Sequence, residues 1–482
     1  MPYSISDTSV ILKSTSTWVD LEIDGKPGGS GCAFGAHVDC LPPELLSEIF
    51  LFCLPGDFYI RPDPLQAPLL ICGVCGTWRR IAIALSRLWS SLAVKTDSVF
   101  SLAELWLQRS GNLPLSVDFV YGPPLLLVVM MQCMHRWQHV KCTISANPWN
   151  MEQPLSTSAP LLKTFHYSCY IATGDRLRKQ LNAITQSALH LHSFTCSSIE
   201  ASFFSNTLWS RLTVLEFYCG LAVNSCVEIL RNGTQLLQCT FARIDEPGGP
   251  QHVLVKPTNV PRLSALIIQG TEDLSALYDH LILPSLRHLD IAYDHFYEHR
   301  HWRQVSFMDF LSRSSCDLEY LALSDTGISE DDLVECLQRI SGTLITLEID
   351  NCKTRTIDKA VMHPGDKVLS MLTFQQGPAN SRSEAPCLCP KLEVIRLGHD
   401  FIFGSEDILA NMIESRWKLD PIIYCVSSKA LVSRLRSVTI IWPQQPGIGK
   451  RRDIQRLLTF RQEGLRLRLQ RGPYAYDADH FL

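Results

Sequence analysis

The chain has 482 residues and a net charge of −4, with 44 Lys and Arg against 48 Asp and Glu, so its charge favours neither nucleic acid nor an anionic membrane surface as a partner. At about 150 residues per domain that length suggests two to four units, a count that repeat arrays break. The 18 cysteines are scattered singly and the opening MPYSISDTSV lacks the basic-then-apolar order of a secretory leader, which argues for reduced, buried thiols in a soluble intracellular protein. The most apolar run, 125–134, is about half of what a bilayer requires.

Residues 1–37 are rich in Ser, Thr and Gly and read as a flexible segment, with Trp18 to Ile23 alternating like a short strand. The stretch 41–92 is different in kind. Asp39 can cap a helix there, Pro42 and Pro43 preset its first turn, and Glu44 stands where the helix dipole favours a carboxylate. Leu45, Leu46, Ile49, Phe50 and Cys53 then recur at three-to-four spacing as one apolar face, until Pro55 and Gly56 stop the run. A second helix carries Ile71, Val74, Cys75, Trp78, Ile81 and Ala82 on one stripe and leaves Arg79 and Arg80 to solvent; Leu88 and Trp89 make a short third element.

After a short amphipathic helix within 98–110 and a strand near 113–119, a repeating pattern begins: apolar, two variable, apolar, one variable, apolar. It occurs at Trp137/Val140/Cys142, Leu162/Phe165/Tyr167, Leu191/Phe194/Cys196, Leu212/Leu215/Phe217, Leu263/Leu266/Ile268, Leu286/Leu289/Ile291, Leu318/Leu321/Leu323, Leu344/Leu347/Ile349, Leu392/Ile395/Leu397 and Leu435/Val438/Ile440, with a degenerate copy at Leu236/Cys239/Phe241. The starts at 212, 236, 263, 286, 318 and 344 lie 24, 27, 23, 32 and 26 residues apart, a leucine-rich-repeat period of one strand and one return helix per unit. Ser329 to Ile340 is the clearest return helix, with Ser329 as cap, Asp331 and Asp332 in its first turn, and Leu333, Leu337 and Ile340 on one face. The run 375–389 reads as a loop. At the C-terminal end, Ile454, Leu457, Leu458 and Arg461 fit a helix ended by Gly464, and Leu465, Leu467 and Leu469 alternate with arginines as a last strand. Such a terminal unit with one polar face caps an open repeat array. The expected fold is therefore α/β: a helical segment at 38–94, an irregular solenoid of short parallel strands with return helices over 98–471, and a tail at 472–482.

Chemical motifs are weak throughout. Cys72 and Cys75 are CxxC-spaced but have no second pair at zinc distance, and both fall on the apolar helix face. Cys387 and Cys389 fall in the 375–389 loop with no histidine nearby. His135 and His139 are four apart, yet Arg136 stands where a metalloprotease needs Glu. Glu298 to His301 reads as a solvated loop. Gly447 to Lys450 lacks the glycine gap and the hydroxyl of a phosphate loop. The arginines after Lys450 have no aromatics interleaved for stacking bases, so nucleic acid is not an expected partner. No catalytic residue, cofactor or metal is assigned.

The segment 38–94 resembles an F-box. The matching residues are Leu41-Pro42-Pro43-Glu44, the apolar helix with Leu45, Leu46, Ile49 and Phe50, then Val74-Cys75, Trp78-Arg79 and Leu88-Trp89, in the family's order. It departs from the family in the insert Gly56 to Ala67, GDFYIRPDPLQA, which lengthens the first loop. The units containing Leu344 and Leu318 resemble the cysteine-containing class of leucine-rich repeats, and the whole is similar to the large fungal, basidiomycete-type, F-box families. The resemblance implies a three-helix module that docks a Skp-type adaptor, and through it a cullin-RING ligase, using the thirteen residues Leu41, Pro42, Pro43, Glu44, Leu45, Leu46, Ile49, Phe50, Val74, Cys75, Trp78, Leu88 and Trp89. It further implies a non-enzymatic substrate receptor, cytoplasmic or nuclear, whose repeats hold a target protein. Outward strand positions such as Arg287, His288, Glu319, Tyr320, Glu348 and Glu393 would line the display surface. The alternative is a repeat scaffold that binds partners without promoting ubiquitination.

Overall fold

A computed structural model describes residues 41–95, 100–121, 124–144, 158–169, 175–197, 201–245, 256–271, 273–293, 302–350, 365–374, 388–398, 405–419, 423–425, 430–442 and 451–471. The amino-terminal segment, Asp39, Cys387, the Glu298 to His301 run, Gly447 to Lys450 and the tail lie outside these residues. The chain divides into two compact units, Met1–Ala172 and Thr173–Leu482.

In the first unit, α1 (Pro43–Phe52) starts at Pro42, whose fixed φ suits a helix entry, and carries Glu44 in its first turn. The stripe expected to run unbroken from Ile71 to Ala82 is two helices, α2 (Leu69–Val74) and α3 (Gly76–Ala84). The sequence CGVCG explains the break, because glycines on both sides of Val74-Cys75 remove the helical preference. Cys75 turns extended at φ −156° and its sulfur accepts from the Trp78 amide at 3.4 Å, so it caps α3 instead of packing on a stripe. Arg79, expected in solvent, bridges the break by donating to the Cys72 carbonyl at 2.8 Å. A 3-10 turn, Ser86–Trp89, leads into β1 (Ser91–Val94), followed by α4 (Phe100–Arg109), β2 (Leu115–Tyr121), α5 (Pro124–Gln132), β3 (Trp137–Ile144) and β4 (Thr164–Cys169). These four strands are parallel and in sequence order. The sheet thus begins inside the stretch read as the helical segment.

The second unit continues with α6 (Asp175–Ser187), β5 (Ser193–Cys196), α7 (Asn206–Trp209), β6 (Val214–Phe217), β7 (Leu221–Ala222), α8 (Val223–Asn232), β8 (Gln238–Asp245) and β9 (Thr258–Asn259). Next come β10 (Ala265–Gly270), α9 (Ser275–Asp279), β11 (Leu281–Ile282), β12 (His288–Tyr293), α10 (Gln304–Ser314), β13 (Tyr320–Ser324), α11 (Glu330–Ile340) and β14 (Thr346–Asp350). The unit closes with α12 (Asp366–Leu372), β15 (Val394–Leu397), α13 (Ile408–Trp417), β16 (Ile423–Cys425), β17 (Ala430–Val432), β18 (Ser437–Trp442), α14 (Arg451–Gln462) and β19 (Arg466–Arg471). The parallel sheet runs β5-β6-β8-β10-β12-β13-β14-β15-β18-β19, with β7 beside β8. This is a repeat-like α/β solenoid, whose main sheet takes one strand from each repeat.

Two rungs run through that sheet without a slip. Leu215 pairs with Cys239, then Leu266, Leu289, Leu321, Leu347, Ile395, Val438 and Leu467. Two residues on, Phe217, Phe241, Ile268, Ile291, Leu323, Ile349, Leu397, Ile440 and Leu469 do the same, so strand registry fixes which side chains are inward. All three apolar residues of every repeat, the degenerate copy included, are buried. Truncating one rung, such as Leu289, to Ala costs about 3 kcal/mol. Close strand approach also fixes Gly398, where a Cβ would lie 2.7 Å from the Asp350 Cα.

On the helix side, within each unit, arginines join one repeat to the one before it. Arg136 donates to the carbonyl of Leu113 at 2.9 Å and to Ser110 Oγ at 2.6 Å, at the end of α4. Arg211 reaches the Thr185 and Ala188 carbonyls at the end of α6, and Arg313 that of Tyr278 in α9. Arg416, fully buried, donates to the carbonyls of Leu372 at 2.5 Å, Cys389 at 3.0 Å and Leu388. In each case a guanidinium lies at the carboxyl-terminal end of an earlier helix, α4 for Arg136, α6 for Arg211, α9 for Arg313 and α12 for Arg416, where orphan acceptors and the helix dipole favour a cation. Hydrophobic periodicity cannot register this device.

Candidate partner-docking faces

The first face is built on α1, which is apolar on two sides. Leu46 and Phe50 point inward, with Phe50 against Trp78 at a ring-centroid distance of 5.0 Å. Leu45 is 52% exposed, Ile49 41% and Phe52 88%. These last three are spaced i, i+4, i+7, a second stripe beside the core stripe, and Phe52 was readable from that spacing. Val74 and Leu70 on α2 are exposed as well. A small helical module with exposed leucine, isoleucine, valine and phenylalanine leaves its own apolar surface wet, which is a mark of a partner site.

The thirteen residues expected at this face therefore separate. Pro42, Pro43, Glu44, Leu45, Ile49 and Val74 are exposed, while Leu41, Cys75 and Trp78 are half-buried. Leu46, Phe50, Leu88 and Trp89 lie in the module's own core. Trp89 donates Nε1–H to the Ala82 carbonyl at 2.8 Å, packs edge-on to Trp106 at 4.8 Å and carries the Arg109 guanidinium over its ring. These four shape the face from beneath. Burial also pushes up the Cys72 thiol, with Arg109 and Arg79 acting against that shift.

The insert Gly56 to Ala67 does not separate the helices. Ile60 is buried; its carbonyl accepts from the Ala93 amide at 2.8 Å, and its own amide donates to Ser91 Oγ at 3.3 Å. Ser91 Oγ in turn donates to the Phe58 carbonyl at 2.8 Å. The insert thus runs as a strap along the outer edge of β1, and Phe58 reaches His139 on β3, ring centroids 5.2 Å apart.

The second face is the outward side of the strands in the second unit. The expected display residues are there, largely engaged with one another. Arg287 pairs with Glu319, His288 stacks on Tyr320 at 3.8 Å and 6°, and Arg436 meets Glu393 at 3.1 Å. Arg396 lies 3.7 Å from Glu348 and 3.8 Å from Asp350, two contacts that the repeat pattern did not single out. Burial, reinforced by Glu348 and opposed by Arg396, raises the Asp290 carboxyl to about 6. Toward the end of the sheet the face turns basic, with Arg466 and Arg468 exposed on β19.

Nothing among the described residues gathers catalytic or ligating groups. No set of three His, Cys, Asp or Glu side chains there could hold a metal ion. His135 sits exposed in a 3-10 turn while His139 lies on β3, with Nδ1 3.0 Å from Thr164 Oγ1, so the two do not converge. Cys389, expected in a loop, is fully buried, and Cys142 and Cys226 are buried thiols held protonated by desolvation. No described helix is long and apolar enough to cross a membrane.

Comparison with known proteins adds little to this geometry. No family model matches the chain and no curated protein matches it. Among solved structures it is similar to a structural-genomics protein from Bacteroides fragilis, at 13% identity and a TM-score of 0.29, over 50% of this chain and 60% of that one. So slight an overlap assigns neither fold nor function.

Proposed function

We propose that residues 38–94 are an F-box of the kind found in the large fungal families, docking a Skp-type adaptor of a cullin-RING ubiquitin ligase, and that the solenoid holds the protein to be modified. The observation that carries this reading is the second apolar stripe of α1, Leu45, Ile49 and Phe52, exposed directly after the Leu41-Pro42-Pro43-Glu44 start. The motif order through Trp78-Arg79 and Leu88-Trp89, with Trp78 packed on Phe50 on the core side of α1, supports it further. In this role the chain performs no bond chemistry. It raises the effective concentration of target lysines beside a ligase-bound conjugating enzyme and orients them.

The reading is tested in cells by affinity purification with crosslinking, followed by partner lifetimes with and without depletion of this chain. A receptor co-purifies with adaptor and cullin, and its depletion or proteasome inhibition lengthens the life of at least one solenoid-bound protein. A scaffold leaves every partner lifetime unchanged.

A further inference from the structure

We infer that the outer edge of β19 takes up an extended segment of a partner protein in which acidic and apolar residues alternate, adding a further strand to the second unit's sheet. The first observation is an open edge. Among the described residues β19 ends the sheet and pairs only with β18, from Ser437↔Arg466 to Trp442↔Arg471. In a parallel ladder successive residues bond alternately to the two neighbouring strands. Tyr320 and Ser437, outward residues that begin their strands, donate to the preceding strand, at the Arg287 and Glu393 carbonyls. By the same alternation Arg466 and Arg468 bond back to β18, and the main-chain groups of Leu467 and Leu469 face the open edge. The contrast with the first unit is direct, since there the strap carbonyl of Ile60 takes the edge amide of Ala93.

The second observation is chemical. Arg466 and Arg468 are exposed on the outward side, and neither makes an ion pair among the described residues. On the inward side the rungs end at Leu467 and Leu469 among the described residues, and Leu469 is half-buried where the rung residues before it, from Phe217 to Ile440, are buried. A strand laid on this edge places alternate side chains beside the two arginines and the others beside the two leucines. Carboxylates fit the first set and aliphatic groups the second. Edge arginines also discourage pairing between identical chains, which leaves the edge selective for an acidic sequence.

The test uses the full chain and fluorescein-labelled octapeptides, read by fluorescence polarisation at two salt concentrations. One peptide alternates, Asp-Val-Glu-Leu repeated; a second has the same composition with its acids clustered; a third replaces the acids by lysine. The alternating acidic peptide should bind at least tenfold more tightly than the other two, less tightly at high salt, and should slow exchange of the Leu467 and Leu469 amides. Arg466→Glu/Arg468→Glu should reverse the order and select the lysine peptide, a gain that a misfolded chain does not show. Equal binding of the alternating and clustered peptides, or no binding, overturns the proposal. So does an unchanged order in the double variant, or a labelled single-stranded oligonucleotide binding the wild type more tightly than the alternating peptide.

Discussion

The Ile60 carbonyl and the Ala93 amide, 2.8 Å apart, cover the outer edge of β1 in the first unit's sheet. The insert Gly56 to Ala67 therefore supplies the edge protection that an open parallel sheet requires. Its chain direction is held by three further groups, the Ile60 amide, the Ser91 hydroxyl and the Phe58 carbonyl.

Removing that hydroxyl should loosen the strap without unfolding the unit. Ser91→Ala loses both bonds and should cost about 1 kcal/mol. Hydrogen exchange at the Ile60 and Ala93 amides should speed up several-fold, while exchange in β3 stays as in the wild type. Unchanged exchange at both amides would show that Ile60 burial and the Ala93 amide hold the strap without the hydroxyl.

The buried arginines should matter far more than exposed ion pairs. Arg416→Met leaves the carbonyls of Leu372, Leu388 and Cys389 without their donor and should cost about 3 kcal/mol in chemical denaturation. Arg87→Ala breaks a 3.9 Å contact to Glu48 in which both side chains are mostly exposed, and should cost less than about 0.5 kcal/mol. Equal losses would mean that Arg416 acts by charge alone.

His166 should make the first unit acid-sensitive. Burial, then Lys141, lowers its pKa from 6.5 to about 4, with Asp118 opposing and Lys95 adding to the fall. The unfolded chain then binds this proton near pH 6.5 and the folded chain only near pH 4, so stability is present above 6.5 and is lost as pH falls through that window. Between pH 7 and pH 4.5 the stability difference between wild type and His166→Gln should change by about 2 kcal/mol, the wild type losing more. A constant difference would place His166 in open solvent.

Most of the repeat core was legible in the sequence, because a period-two strand with one buried side writes its inward residues directly into the pattern. Every rung from Trp137 to Val438 is buried as that pattern requires, and Ser329 caps α11 through the Asp332 amide at 3.2 Å. What periodicity missed depends on three-dimensional partners. The helix break at Cys75 follows from local glycine content against a continuous apolar stripe. The division of α1 into a core side and a wet side depends on where α3 packs, and Leu45 and Leu46 are equal in any propensity scale. The Arg416 and Arg136 bridges join residues far apart in sequence. The strap role of Phe58 to Ile60 appears only once β1 is known to be an edge.

Whether the wet stripe of α1 docks an adaptor is tested most directly by titration calorimetry of the purified chain against a purified Skp-type adaptor. Leu45→Asp/Ile49→Asp changes only exposed side chains, so thermal unfolding should stay within a degree or two of the wild type while adaptor affinity falls at least a hundredfold. Leu46→Ala should do the reverse, lowering stability by about 3 kcal/mol while the folded fraction keeps its affinity. If the double variant, folded, binds adaptor as tightly as the wild type, or if the wild type does not bind it, the claim is wrong.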